Sequence, residues 1–210
     1  MASPRDASDA EALLPPAWIA DSPLLAQAYS LAESAHRSQR RPTDGRPFLD
    51  HATEVATFLH EAAFDDELVA VGLLHDAVER GTLSEEKLRS EMGEAVASLV
   101  LALTEDATID SFEARKAALR DQVRAAGGLA VTVFAADKLS DIVGLRRGIQ
   151  KFGEAIEERM GTTVAGMAGH YRESVELIES ARPGSAFLPA LHVQLDRLAV
   201  EASTSLVGPR

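Results

Sequence analysis

Residues 66–79 read DELVAVGLLHDAVE, and this segment gives the strongest indication of the fold. Every residue between Glu67 and His75 is apolar or glycine, which is typical of a helix buried at the centre of a protein. The apolar run ends in the adjacent pair His75 and Asp76. A carboxylate buried without a partner is very costly in free energy, so such a group is normally paired or bound to a metal. We therefore expect a central helix over 66–79 with a chemical site at its end.

The rest of the chain also has the pattern of helices, because alanine and leucine are abundant and β-branched runs are rare. Ser22-Pro23 is typical of a helix start. The segment LAVTVF at 129–134 has strand propensity, but no partner strand is apparent, so we interpret it as part of a buried helix. We predict an all-α bundle of about eight to ten helices, over residues 22–39, 51–62, 66–79, 84–91, 93–104, 112–126, 129–147, 153–181 (as one helix or two) and 187–203.

Composition excludes several classes of function. The 210 residues contain no cysteine, so disulfides, zinc–thiolate sites and cysteine nucleophiles are excluded. The net charge of −12 argues against a nucleic-acid polymer as a partner, because a phosphate backbone requires a basic face. No apolar run is long enough to span a membrane, and the N-terminus lacks the apolar core of a signal peptide. We expect no membrane association and a cytoplasmic location.

The length predicts one domain. Residues 1–17 are small, polar and acidic, and we expect them to form a flexible N-terminal arm in front of a single domain over 18–210. Within that domain, 25–150 carries the motifs described below and 153–203 forms C-terminal helices. The last helix has a leucine stripe that could support a homodimer, although packing on its own domain is the interpretation we favour; the stripe is Leu188, Leu191, Leu195 and Leu198.

Four side chains could form one metal site: His51 in PFLDHATEV, the pair His75 and Asp76, and Asp137 in VFAADKLSD. Asp137, like Asp76, ends an apolar run, where an unpaired carboxylate is unfavourable. Two imidazoles and two carboxylates suit Mn²⁺, Fe²⁺ or Zn²⁺ and leave positions open for water and a substrate oxygen. Each residue alone could be an ordinary buried or capping side chain, and it is their combination that favours a metal site.

Three longer segments extend this pattern: AYSLAESAHRSQRRPTDGRPFLDHATEVATFL (28–59), VAVGLLHDAVERGTLSEEKLRSEMGEAVASLVLALTED (69–106) and LAVTVFAADKLSDIVGLRRG (129–148). Together they resemble the RelA/SpoT-type hydrolase domain and its small stand-alone relatives, the alarmone hydrolases, within the HD-domain metal-dependent phosphohydrolases. The resemblance covers about residues 25–150, with a weaker similarity around Tyr171. It implies the all-helical fold of the HD domain.

The resemblance also implies roles for the metal site. His51, His75, Asp76 and Asp137 match the metal ligands, and Mn²⁺ is the usual ion. Glu79 matches the acidic residue that, with Asp76, helps to activate the attacking water. The spacing supports this independently, because on a continuous helix Glu79 would share a face with His75 and Asp76.

At the substrate-binding positions that the resemblance implies, the sequence matches the family pattern less closely than at the metal ligands. Arg41 matches a basic residue near the base or phosphates of the substrate, and Lys138 matches another basic position. Arg40 is the neighbour of Arg41, and we expect one of the two to be solvated. Phe48 stands where the family often has a tyrosine. We take these four residues, with Arg80 and Asp141, as candidates for substrate binding. Arg115 and Lys116 lie on a helix that supplies phosphate contacts in relatives, although exposed helix charges more often face solvent.

Some positions depart from the family pattern and alter the substrate-binding region: Arg80 replaces an aspartate, Asp141 replaces an asparagine, Ser140 replaces an aromatic residue or histidine, and Pro42 replaces a basic residue. An aspartate at 141 would repel a phosphate unless it is protonated, paired or metal-facing.

These observations predict a metal-dependent hydrolase of a nucleotide phosphate or pyrophosphate ester, with (p)ppGpp 3′-pyrophosphohydrolase as the specific candidate. The first alternative is a catalytically inactive nucleotide-binding or regulatory HD module. The second is a helical interaction protein whose His-Asp pair has lost its metal.

Overall fold

The computed structural model describes residues 14–79 and 83–205, with side chains up to residue 203. Within these ranges the chain forms ten helices and no strand, apart from one isolated antiparallel bridge between Arg40 and Pro47. The all-α prediction is therefore confirmed. The helices are α1 (Ala17–Ala20), α2 (Pro23–His36), α3 (Phe48–Glu61), α4 (Asp66–Leu74), α5 (Glu85–Ala102), α6 (Phe112–Ala126), α7 (Gly128–Phe152), α8 (Ala155–Met160), α9 (Val164–Ala181) and α10 (Leu188–Ser205).

Most of the longer helices begin at a residue whose side chain accepts a hydrogen bond from a backbone N–H of the first turn, which stabilises the helix end. Ser22 caps α2 and is followed by Pro23, as predicted. The other capping side chains are Asp65 for α4, Ser84 for α5, Ser111 for α6 and Thr163 for α9.

The helices α4 and α7 form the centre of the bundle. Every residue from Leu68 to Leu74 is buried, and so is the stretch 130–140 of α7. All ten helices contribute side chains to the same apolar core. The segment 129–134 lies within α7, so its interpretation as a buried helix is confirmed. Residues that are apolar on every face require neighbours on every face, which is why these two helices are central.

One predicted division between helices is confirmed, and one predicted helix end is wrong. The predicted division between helices at 84–91 and 93–104 is confirmed, because Gly93, with a φ of 79° and a ψ of 171°, is not helical and kinks α5 at that point. The prediction of a helix to residue 79 was wrong at its end: α4 stops at Leu74 and residues 75–79 form a turn. Nδ1 of His75 donates a hydrogen bond to the carbonyl oxygen of Gly72 at 2.8 Å. This satisfies a carbonyl of the last turn of α4.

The C-terminal helix α10 packs on α7 and α9. Leu188, Leu191 and Leu198 are buried there, so the leucine stripe packs on its own domain, and an ion pair between Arg146 and Glu201 also joins α10 to α7. The homodimer and the domain boundaries stay predictions.

Residues 1–13 of the predicted N-terminal arm lie outside the described residues, and Ala17 already begins α1. None of the described helices is both long enough and apolar enough to cross a membrane.

Candidate active site

Three elements bring the four predicted metal ligands together. His51 lies in the first turn of α3, His75 and Asp76 directly follow α4, and Asp137 lies in the third turn of α7. The Nε2 atoms of the two histidines are 3.1 Å apart. Oδ2 of Asp76 is 3.5 Å from both Nε2 atoms. Oδ1 of Asp137 is 3.3 Å from the Nε2 of His51 and 3.5 Å from that of His75.

The arrangement fits a divalent cation. Nδ1 of His75 donates to the Gly72 carbonyl, so a neutral His75 presents the lone pair of Nε2 to the site. Two such nitrogens at 3.1 Å repel each other unless a positive charge lies between them. Ligand atoms of His51, His75 and Asp137 all lie within 4.8 Å of one another, and all three residues are buried. Nitrogen and carboxylate oxygen ligands in this number are typical of sites for first-row divalent metals.

The electrostatics of the site show the same demand for positive charge. Burial disfavours the imidazolium form of His75, yet the carboxylates of Asp76 and Asp137 outweigh burial and raise the pKa of His75 to about 9. Burial alone would raise the pKa of Asp137, but Lys138 and the two histidines hold it well below its usual range. The pKa of Asp76 is likewise lowered by His75 and His51, against the effect of burial. The two carboxylates therefore stay ionised, as metal ligands must be.

A cavity of about 530 Å³ opens on three of the four predicted metal ligands, His75, Asp76 and Asp137, and Glu79 also lines it. The carboxylate of Glu79 accepts the backbone N–H of Glu105 at 3.3 Å, which anchors it although residues 75–79 are not helical. The expectation that Glu79 lies near the metal ligands thus agrees with the structure. The prediction placed Glu79 on the same helical face as His75 and Asp76. In the structure a turn over residues 75–79 brings its side chain to the cavity instead.

Arg41 and Lys138 line the cavity and are both buried. Asp141 lies between them: its Oδ1 accepts from Arg41 at 3.1 Å and its Oδ2 from Lys138 at 3.0 Å. Lys138 also contacts Oδ2 of Asp137 at 2.8 Å. Although burial opposes it, Asp137 and Asp141 raise the pKa of Lys138 well above its usual value. Asp141 is therefore paired with two cations, which partly compensates its charge.

Arg40 and Arg41 are adjacent in the loop between α2 and α3, but their side chains have different surroundings. The bridge to Pro47 holds Arg40 in an extended conformation, in which neighbouring side chains point to opposite sides. Arg40 is exposed and does not line the cavity, so the structure does not bring this predicted residue to the site. Phe48 is buried and does line it, with its ring edge-on to His51. Arg80 lies outside the described residues.

Arg115 and Lys116 of α6 also line the cavity. Both are paired with the carboxylate of Glu105, which Arg115 approaches to 2.8 Å. Lys116 also lies 5.5 Å from the centre of the Phe112 ring. Every lysine and arginine that lines the cavity among the described residues thus has a carboxylate partner.

Several residues around the site were not singled out from the sequence as site residues. Glu54 looks like an ordinary exposed charge on a helix, and Glu105 like a loop charge. Gly144 of α7 has its backbone against the guanidinium of Arg41, where an added Cβ would be 2.6 Å from Nη2. Tyr171 lines the cavity with a buried hydroxyl that has no hydrogen-bond partner within the described part of the chain. Only the weak similarity around Tyr171 gave a signal in the sequence; for the other three the fold was needed.

Comparison with known proteins identifies the domain. The family model for the HD domain matches residues 28–129, a range that contains His51, His75 and Asp76 and ends before Asp137. A GTP pyrophosphokinase rsh of Brucella melitensis is 34% identical over 101 residues, which is 48% of this chain and 13% of the relative. A probable guanosine-3′,5′-bis(diphosphate) 3′-pyrophosphohydrolase of Synechocystis is 37% identical over 81 residues, which is 39% of this chain and 10% of the relative. The chain thus matches only about a tenth of the length of these curated relatives.

A solved structure extends the similarity over nearly the whole chain. It is described as a metazoan orthologue of SpoT that hydrolyses ppGpp. It has a TM-score of 0.67 and 25% sequence identity, and the match covers 89% of this chain and 98% of the other. Residues 28–129 thus match the HD-domain family model, and the chain resembles RelA/SpoT-type hydrolases.

Proposed function

We propose that this protein is a metal-dependent phosphohydrolase that removes the 3′-pyrophosphate of (p)ppGpp. The observation that carries the proposal is the convergence of His51, His75, Asp76 and Asp137 at one end of a cavity that also holds Glu79 and two buried cations. The relatives in both comparisons supply the substrate class, since a metazoan orthologue is described as hydrolysing ppGpp. The cytoplasmic location is a prediction from the sequence.

The proposed roles follow from position. His51, His75, Asp76 and Asp137 would hold the ion, for which we propose Mn²⁺, with Fe²⁺ and Zn²⁺ as alternatives. When bound, such an ion lowers the pKa of a coordinated water toward neutrality. Glu79, on the same cavity wall, accepts the proton of the attacking water through its carboxylate.

The remaining wall of the cavity would bind the nucleotide. Arg41 and Lys138 stabilise the negative charge that grows on the phosphoryl oxygens, which they can do without moving far because both are buried beside the metal ligands. Phe48 supplies an apolar wall. Arg115 and Lys116 also line the cavity and would contact other phosphates of the nucleotide.

A product assay with metal analysis tests this function. Purified wild-type protein, an Asp76→Ala variant and an Asp121→Ala control are incubated with Mn²⁺ and guanosine tetraphosphate, and products are resolved by anion exchange. Asp121 is exposed on α6 and does not line the cavity. We expect pyrophosphate release by wild type and control, and neither metal binding nor turnover by Asp76→Ala. Turnover by a metal-free Asp76→Ala variant would contradict the proposal.

A second candidate is a nucleotide-binding module that does not hydrolyse its ligand. The pairing of Asp141 with both Arg41 and Lys138 favours it, because those cations are partly neutralised before a substrate arrives. This candidate predicts saturable binding of the nucleotide to the Mn²⁺-loaded protein with no product over hours. The same assay, combined with a binding titration, separates the two functions.

A further inference from the structure

A chain of hydrogen bonds leads from the metal ligand His51 away from the cavity. Nδ1 of His51 lies 2.9 Å from Oγ of Ser140, and that hydroxyl donates to Oε2 of Glu54 at 2.6 Å. Ser140 is completely buried. Glu54 is held in turn by Arg147, whose Nη2 donates to Oε1 at 3.1 Å. The charged end of the chain is therefore fixed.

The direction of these bonds determines the tautomer of His51. A serine hydroxyl has one proton, and Ser140 donates it to the Glu54 carboxylate, which can only accept. The contact between Ser140 and Nδ1 can then be made only if Nδ1 carries the proton and donates it to Oγ. A neutral His51 consequently has its lone pair on Nε2, the atom 3.1 Å from Nε2 of His75.

The chain also joins the two helices on which the site depends. Glu54 lies one turn after His51 on α3, and Ser140 lies one turn after Asp137 on α7. The backbone carbonyl of Ser140 accepts from Arg41 at 3.2 Å, so the same residue contacts a cavity cation. A substitution at Ser140 should therefore alter the orientation of His51, the proposed metal ligand on α3.

We propose that Ser140 and Glu54 are positioning residues that hold His51 in the Nδ1-protonated tautomer with Nε2 aimed at the metal. Hydrogen-bonded partners of this kind fix the orientation of a ligating imidazole, and their loss typically weakens metal binding about 10- to 100-fold. The inference rests on the metal centre proposed above and not on the hydrolytic reaction or its substrate.

Mn²⁺ affinity of the full chain tests the inference, measured by electron paramagnetic resonance of the free ion. We expect Ser140→Ala to raise the Kd for Mn²⁺ about 10-fold or more. Glu54→Gln keeps an oxygen that accepts from Ser140, so its Kd stays within about threefold of wild type. Ser174→Ala is the matched control, because Ser174 is equally buried but bonds the carbonyl of His170 on its own helix. Its Kd should equal that of wild type.

Three outcomes would overturn the inference. Wild-type affinity in Ser140→Ala would remove Ser140 from any positioning role while leaving the metal centre intact, and an equal loss in Ser174→Ala would assign the effect to packing. A wild-type protein that binds no Mn²⁺ would overturn the metal centre and the inference together. Should Ser140→Ala fail to fold, ¹⁵N spectra of the Zn²⁺-loaded wild-type protein decide: His51 protonated at Nδ1 supports the inference, and His51 protonated at Nε2 overturns it.

Discussion

Nη2 of Arg41 lies 3.1 Å from Oδ1 of Asp141, a residue 100 positions later in the chain. The guanidinium is buried, and although burial lowers the pKa of Arg41, Asp141 and the nearby carboxylates of Asp44 and Glu54 raise it overall. Arg41 is thus a permanent cation whose charge is already partly compensated. An anionic substrate at Arg41 would therefore compete with Asp141 for the guanidinium.

The variant Asp141→Asn tests that competition. Removing the carboxylate charge leaves Arg41 and Lys138 less compensated, so we expect the KM for guanosine tetraphosphate to fall about 10-fold, which corresponds to ~1.4 kcal/mol. Steady-state kinetics at low salt measure the change. Asp121→Asn on the exposed side of α6 is the control and should keep the wild-type KM. An unchanged or higher KM in Asp141→Asn would show that Asp141 does not oppose substrate binding.

Glu79→Gln should separate catalysis from metal binding. The amide cannot accept a proton from the attacking water, and we expect kcat to fall by about 10²- to 10⁴-fold. Glu79 is proposed to act on the water and not as a ligand, so Mn²⁺ affinity should stay near the wild-type value. Single-turnover rates and a metal titration on the same preparation measure both quantities. A parallel loss of metal would place Glu79 among the ligands instead.

The close approach of Arg41 to Gly144 predicts the effect of a single added methyl group. In Gly144→Ala the new Cβ would lie 2.6 Å from Nη2 of Arg41, so the guanidinium must move. We expect the KM for the nucleotide to rise several-fold with Mn²⁺ affinity unchanged. Gly169→Ala is the control, because a Cβ at this position of α9 meets nothing within 4 Å. Equal kinetics for the two variants would contradict the prediction.

We expect the buried His170 to make the free energy of unfolding sensitive to acid. Its Nδ1 accepts from Arg120 at 2.9 Å, and burial, together with Lys138, Lys116 and Arg120, lowers the pKa of His170 to about 2. The unfolded chain binds a proton at this residue below pH 6.5 while the folded protein does not, so the free energy of unfolding falls as the pH falls below 6.5. The loss approaches ~1.4 kcal/mol for each pH unit below that point.

Urea denaturation at pH 7 and pH 5 measures this contribution. His170→Gln keeps an acceptor for Arg120 but cannot be protonated, so its stability should change less between the two pH values than that of wild type. His192→Gln, which removes an exposed histidine of α10, should keep the wild-type pH dependence. If His170→Gln and wild type lose the same stability, another group is responsible for the acid sensitivity.

Local patterns in the sequence were enough to predict the helical class and to select the candidate metal ligands. Apolar residues on every face of 68–74 and 130–136 left a buried helix as the interpretation, and a polar pair at the end of such a run signals a site because unpaired buried carboxylates are too costly. The same local logic predicted the cap at Ser22 and placed the leucine stripe of α10 on its own domain. These features depend on residues close together in the chain.

Which charged side chains pair with one another depends on the packing of the helices. Asp141 pairs with Arg41, the backbone of Glu105 anchors Glu79, and Ser140 bonds both His51 and Glu54. These contacts join positions that are 26 to 100 residues apart. No periodicity encodes such contacts, because they depend on how helices pack and on where a turn replaces a helical face. Packing also separated Arg41 from Arg40, which the sequence could not distinguish: one is buried in the cavity wall and the other is exposed.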